Sequence, residues 1–109
     1  MFSNSTKQKF AIFAGAVMAM GLSQPASAQS TRAQVRAEIG RLASGYPGST
    51  IVYSGCRAVA EDDFARTGSV SHALGTLTGC ASVGCAFTDI YSDCLRVNAR
   101  LFVLELRLS

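Results

Sequence analysis

The run LRVNARLFVLELRL, residues 95–108, decides the fold class. Leu95, Val97, Ala99 and Leu101 alternate as on a strand, then Phe102, Leu104, Leu106 and Leu108 alternate in the opposite phase. A strand with a bulge near Leu101 accommodates that flip, because one extra residue moves the following side chains to the other face. Leu95, Ala99, Phe102 and Leu106 also lie at helical spacing, which keeps a helix as the competing reading. The alternation predicts strand. In either conformation a run this apolar must be covered, or it invites aggregation.

Upstream, Ser82–Tyr91 (SVGCAFTDIY) has strand composition, with Val83, Cys85, Phe87 and Asp89 on one face. Thr50–Tyr53 (TIVY) is β-branched and aromatic, a short strand closed by Ser54 and Gly55. Between them Ala58–Arg66 predicts a short helix with Glu61, Asp62 and Asp63 as a solvated acidic face. Ser69 caps another, with Val70, Ala73, Leu74 and Leu77 at helical spacing and Gly75 and Gly79 limiting its length. Residues 31–44 form the clearest element. Thr31 is a suitable N-cap, Gln34 completes a capping box, and Val35, Ile39 and Leu42 share one face at i, i+4 and i+7. Gly45 suits the position after the helix, and Pro47 prevents continuation. This amphipathic helix has a narrow apolar stripe and needs a surface to dock on, either the chain's own tail or a protein partner. The expected fold is therefore a small α+β domain; a tail poorly ordered beyond Gly48 is the alternative.

The first residues read as an export signal. Lys7 and Lys9 precede the uncharged apolar run Phe10–Leu22, Pro25 follows, and Ala26-Ser27-Ala28 supplies small residues for cleavage between Ala28 and Gln29. The run is too short to cross a bilayer, which takes about 20 apolar residues. Residues 1–28 are thus a signal peptide and 29–109 a single small mature domain, with no stable membrane anchor after cleavage and a periplasmic or secreted destination. Both lysines fall in the signal. The mature part carries eight arginines against seven acids, a net charge of +1, which gives no electrostatic case for nucleic acid. Its four cysteines, Cys56, Cys80, Cys85 and Cys94, suit a two-disulfide framework in an oxidising compartment. Three pairings are open.

The stretch Thr31–Pro47 (TRAQVRAEIGRLASGYP) resembles the start of a family of small exported proteobacterial proteins, the domain of unknown function of type four-one-four-eight. Thr31 to Glu38 match that family's Thr-Arg-Ala-Gln-Val-Arg-Ala-Glu core, Ile39 stands for its usual Leu, and Gly45-Tyr46 match the helix end. The resemblance implies export and implies no activity. From about Ser49 the chain departs from it. The family's second Tyr-Pro and Gln-Ala-Ala-Glu helix are missing, and residues 49–109 form a cysteine-containing tail. Divergence into a disulfide-stapled variant is one explanation, and a shifted reading frame in a GC-rich gene is the other.

Candidate chemistry is sparse. His72, the single histidine, has Ser69, Ser71 and Asp89 as conceivable partners, but a nucleophile, base and orienting group must converge, and no Gly-x-Ser-x-Gly turn is present. Cys80, Cys85, Cys94 and His72 lack the tight Cys-x-x-Cys spacing of structural zinc sites. The same lack removes a thioredoxin-type motif, and no cofactor or metal is expected. The reading is a non-enzymatic exported protein with a structural or interaction role; the alternative is a small periplasmic hydrolase or thiol-redox protein using His72 or a cysteine.

Overall fold

A computed structural model of the chain describes residues 24–88 and 90–109, with side chains described from Thr31 onward. Among these residues are four helices and no strand: α1 (Gln24–Gly45), α2 (Pro47–Thr67), α3 (Val70–Cys85) and α4 (Tyr91–Leu108). The fold is all-α, and the α+β expectation is corrected. The compact unit that holds the core comprises Gln34–Ser109.

The correction begins at residues 95–108, which form most of α4. Cys94, Val97, Asn98, Leu101, Phe102 and Leu104 are buried, while Leu95, Ala99 and Leu106 sit half-buried at the margins. Steps of three and four residues are the period of a helix, so a cysteine and an asparagine complete the stripe that the aliphatic residues alone leave ragged. Asp93 in the first turn and Arg107 in the last complement the helix dipole.

Thr50–Tyr53 likewise lies inside α2. Ser49, Tyr53, Cys56, Ala60 and Asp63 are its buried residues, spaced four, three, four and three apart. Ile51 points outward and is 73% exposed, so the β-branched run carries no strand. Pro47 opens α2 in its first turn, where its missing N–H costs nothing. Of the predicted strand Ser82–Tyr91, residues 82–85 lie in the last turn of α3, residues 86–88 turn tightly after it, and Tyr91 opens α4. In that turn the Phe87 and Thr88 N–H groups donate to the Gly84 and Cys85 carbonyls, both at 3.1 Å.

One expectation stands at the helix joints, the Ser69 cap, and beside it lies a glycine turn that the sequence reading did not mark. Ser69 caps α3, its hydroxyl accepting from the His72 N–H at 3.1 Å. Gly68 ends α2 at φ +68°, a left-handed conformation that favours glycine. The start of α1 differs from the reading: among the described residues the helix already runs from Gln24, ahead of Thr31, and nothing between Ala26 and Ser30 stops a helix. Its predicted face does meet the chain's own core, with Val35 and Leu42 buried and Ile39 half-buried. Val35 and Leu104 line a groove between α1 and α4 with Gln34, Glu38, Arg100 and Arg107.

The seam between α2 and α3 is made of small side chains. Ala60, Ala73 and Ala81 are fully buried. A Cβ placed on Gly84 would sit 3.0 Å from both methyls of Val52, whereas one on Gly75 would meet nothing within 4 Å. Gly84→Ala is therefore expected to lose about 1 kcal/mol net, the crowding outweighing the better helix former. Gly75→Ala should gain up to about 1 kcal/mol. Urea unfolding of the two variants beside the parent measures both.

Candidate functional site

Sequence alone left the cysteine pairing open, and the fold resolves it. Cys56 of α2 bonds Cys80 of α3, and Cys85 at the end of α3 bonds Cys94 near the start of α4. Each bridge joins consecutive helices at stripe positions that face each other, so the buried periodicity brings the thiols together. Such bonds are those of an oxidising compartment. No free cysteine remains among the described residues.

The two bridges differ in setting. Cys85 and Cys94 are fully buried beside Asn98, whose amide is also buried. Asn98 Nδ2 donates to the Ser49 carbonyl at 3.0 Å and to the Cys94 carbonyl at 2.9 Å, tying the start of α2 to α4. Its N–H also faces the bridge, 3.8 Å from Cys94 Sγ and 4.0 Å from Cys85 Sγ. Cys56 is buried and Cys80 half-buried. A second cross-helix tie lies nearby, where the buried Tyr53 hydroxyl donates to Glu105 Oε1 at 2.6 Å and Arg57 stands 3.7 Å from the same oxygen. Burial, followed by that carboxylate, pushes the Tyr53 phenol well above its ordinary range.

His72 meets an acid that the sequence reading had assigned to the solvated face. Glu61 and Asp62 are exposed, but Asp63 is 1% exposed. His72 Nδ1 donates to Asp63 Oδ2 at 2.5 Å, and Arg66 Nη2 donates to Oδ1 at 3.0 Å. The ring hydrogen bond from His72 holds the Asp63 carboxyl below the usual aspartate range against the opposing effect of burial; Thr76 and the Arg66 charge add to the lowering. The pair spans the Gly68-Ser69 elbow, which folds α3 back on α2 and places residues 63 and 72 opposite each other. The signal available in the sequence was that joint: a glycine stop beside a serine cap, with one acid and one histidine about a turn away on either side. Ser69 spends its hydroxyl oxygen on the cap. Ser71 is exposed with no hydrogen bond to the His72 ring, and Asp89 lies outside the described residues. The imagined zinc set is not assembled, because its three cysteines are bonded in two different bridges.

A third feature is apolar. Val83, Phe87, Ile90 and Tyr91 are exposed around the α3–α4 connection, with Phe87 at 87%. Beside them Gly45–Ser49, Thr88, Ile90 and Asp93 line a cleft of about 270 Å³. Arg96 stacks over the Tyr46 ring at 5.7 Å near this end.

The predicted cleavage residues Ala28 and Gln29 fall within the helical run of α1, while Lys7, Lys9 and Phe10–Leu22 lie outside the described residues. No helix of the described residues is long and apolar enough to cross a membrane. No known protein family, curated protein or solved structure matches the chain.

Two outcomes are expected from this geometry. Loop-closure entropy alone assigns about 3.5 kcal/mol to Cys56–Cys80, which closes 24 residues, and about 2.7 kcal/mol to Cys85–Cys94, which closes 9. Paired Cys→Ala replacements should lower the unfolding free energy obtained from urea titration by about those amounts, in that order. The second expectation concerns acid. Because the folded Asp63 pKa is lowered, its stabilisation is complete above the unfolded aspartate value of about 3.9 and is lost as pH falls through the lower folded value. Asp63→Asn should therefore be less stable near neutrality and flatter across that acid window, as measured by urea midpoints against pH.

Proposed function

We propose that the chain is a small exported protein, periplasmic or secreted, that acts by binding or scaffolding and not by catalysis. The observation that carries this reading is the pairing of all four cysteines into bridges between neighbouring helices. Those bonds would be reduced in a thiol-rich cytosol. They agree with a Lys7/Lys9 and Phe10–Leu22 leader removed after Ala28.

The packing also favours divergence over a shifted reading frame as the origin of the tail. A frame chosen by accident has no reason to place cysteines at facing helical positions, an Asp opposite the only His, and an Asn amide on two helices at once. In this reading the chain is a cystine-stapled variant alongside the domain of unknown function of type four-one-four-eight. The exposed Val83, Phe87, Ile90 and Tyr91 group supports an interaction role, since contiguous apolar surface on a small protein commonly marks contact sites. The Asp63–His72 pair supports a second reading as a hydrolase base, with the exposed ring as the acting group.

Expression with the leader intact, followed by N-terminal sequencing and intact mass of the periplasmic fraction, tests the export reading. The expected species begins at Gln29 and gains the mass of four hydrogens on reduction. Recovery only from cytosol, beginning at Met1 with free thiols, would defeat it.

A further inference from the structure

We propose that Cys56–Cys80 is an exchangeable disulfide, entered at Cys80 Sγ by low-molecular-weight thiols, while Cys85–Cys94 stays closed. Cys80 is half-buried, whereas Cys56 is 6% exposed and Cys85 and Cys94 are both at 0%. Exchange needs in-line access to a sulfur, so burial alone ranks the two bridges.

A second observation points the same way. Each half of the Cys56–Cys80 bridge follows a glycine, and a Cβ on Gly55 or Gly79 would meet nothing within 4 Å. The residue before each half of this bridge thus carries no side chain and borders open space. Cys85 also follows a glycine, but Gly84 is closed off by Val52. Three Gly-Cys pairs in sequence therefore have two fates in the fold. A third observation says what happens after opening: the Asp63–His72 contact and the Val52–Gly84 packing hold α2 on α3 without the bridge. The helices have no need to part for the exchange to run.

The step is an ordinary substitution at sulfur. A thiolate such as that of glutathione donates its electron pair to Cys80 Sγ. The Cys56–Cys80 bond breaks, and its pair leaves on Cys56 Sγ, which takes a proton from water. The product is a mixed disulfide at Cys80 and a free Cys56 thiol. A second thiol completes the reduction, releasing oxidised glutathione and the Cys80 thiolate. The inference presupposes oxidised protein, hence the export reading, but it is tested on purified material whatever its origin.

The experiment treats the folded, fully oxidised protein with glutathione at neutral pH, blocks free thiols with iodoacetamide and maps the peptides by mass. Expected are glutathione on Cys80, the alkyl group on Cys56, an intact Cys85–Cys94 bridge and an unchanged far-ultraviolet helix signal. Gly79→Leu, which sets a bulky side chain in the open space beside Cys80 and is a good helix former, should slow the exchange about tenfold with the same pattern of labels. If that variant fails to fold, Gly55→Val adds bulk beside the bridge from α2 and is held to the same expectation. Glutathione appearing first on Cys56, equal opening of Cys85–Cys94, or exchange only at urea concentrations that unfold the chain would each overturn the proposal.

Discussion

The bonds Cys56–Cys80 and Cys85–Cys94 join α2 to α3 and α3 to α4, so three consecutive helices form a single covalent ladder. The apolar faces that the ladder holds together are thin. Among the described residues Phe102, Leu42, Leu77, Leu104 and Val97 are the large apolar side chains that are fully buried, and alanines fill much of the rest. A domain of this size retains only a fraction of its chain surface as buried core, and its net stability is a small difference between large terms. Several kcal/mol of loop-closure entropy is then a sizeable part of that margin. The bridges also set the helix spacing at which small side chains can fill the seam.

Polar contacts finish what the cystines begin, and each is placed at a joint. Asn98 ties the first turn of α2 to α4 beside the inner bridge. Asp63 and His72 fasten the elbow between α2 and α3, with Arg66 and Thr76 completing the shell around the buried carboxylate. Tyr53 and Glu105 link α2 to α4. A buried polar group that lacks a partner is costly, so each tie favours one register of the helices over its neighbours. The exposed Asp62–Arg66, Arg57–Glu61 and Arg96–Asp93 pairs lie along single helices and contribute little by comparison.

How much of this was legible depends on the residue. Val35, Ile39 and Leu42 announced an amphipathic face, and that face packs as read. Ser69 declared itself as a cap, and the even cysteine count declared a framework of bridges. Thr50–Tyr53 misled because β-branched residues were read as strand, although Ile51 faces solvent from a helix. Residues 95–108 misled for a subtler reason. A run with apolar side chains at most positions satisfies periods of 2 and of 3.6 alike, and the decisive members of the stripe were Cys94 and Asn98, which no apolar count includes. Asp63 was hidden among three consecutive acids, only one of which turns inward.

Taken by itself, the chain determined an apolar helical face ending near Gly45, a serine cap at Ser69, and an even set of thiols whose bonds need an oxidising setting. Those properties are local: they follow from caps, charges, run lengths and counts. Only the tertiary structure decided that the tail is helical, which cysteine bonds which, and which acid His72 touches. Each of those outcomes depends on residues brought together from separate helices, and the energy of burying a shared face outweighs the weak preference of any one segment for strand.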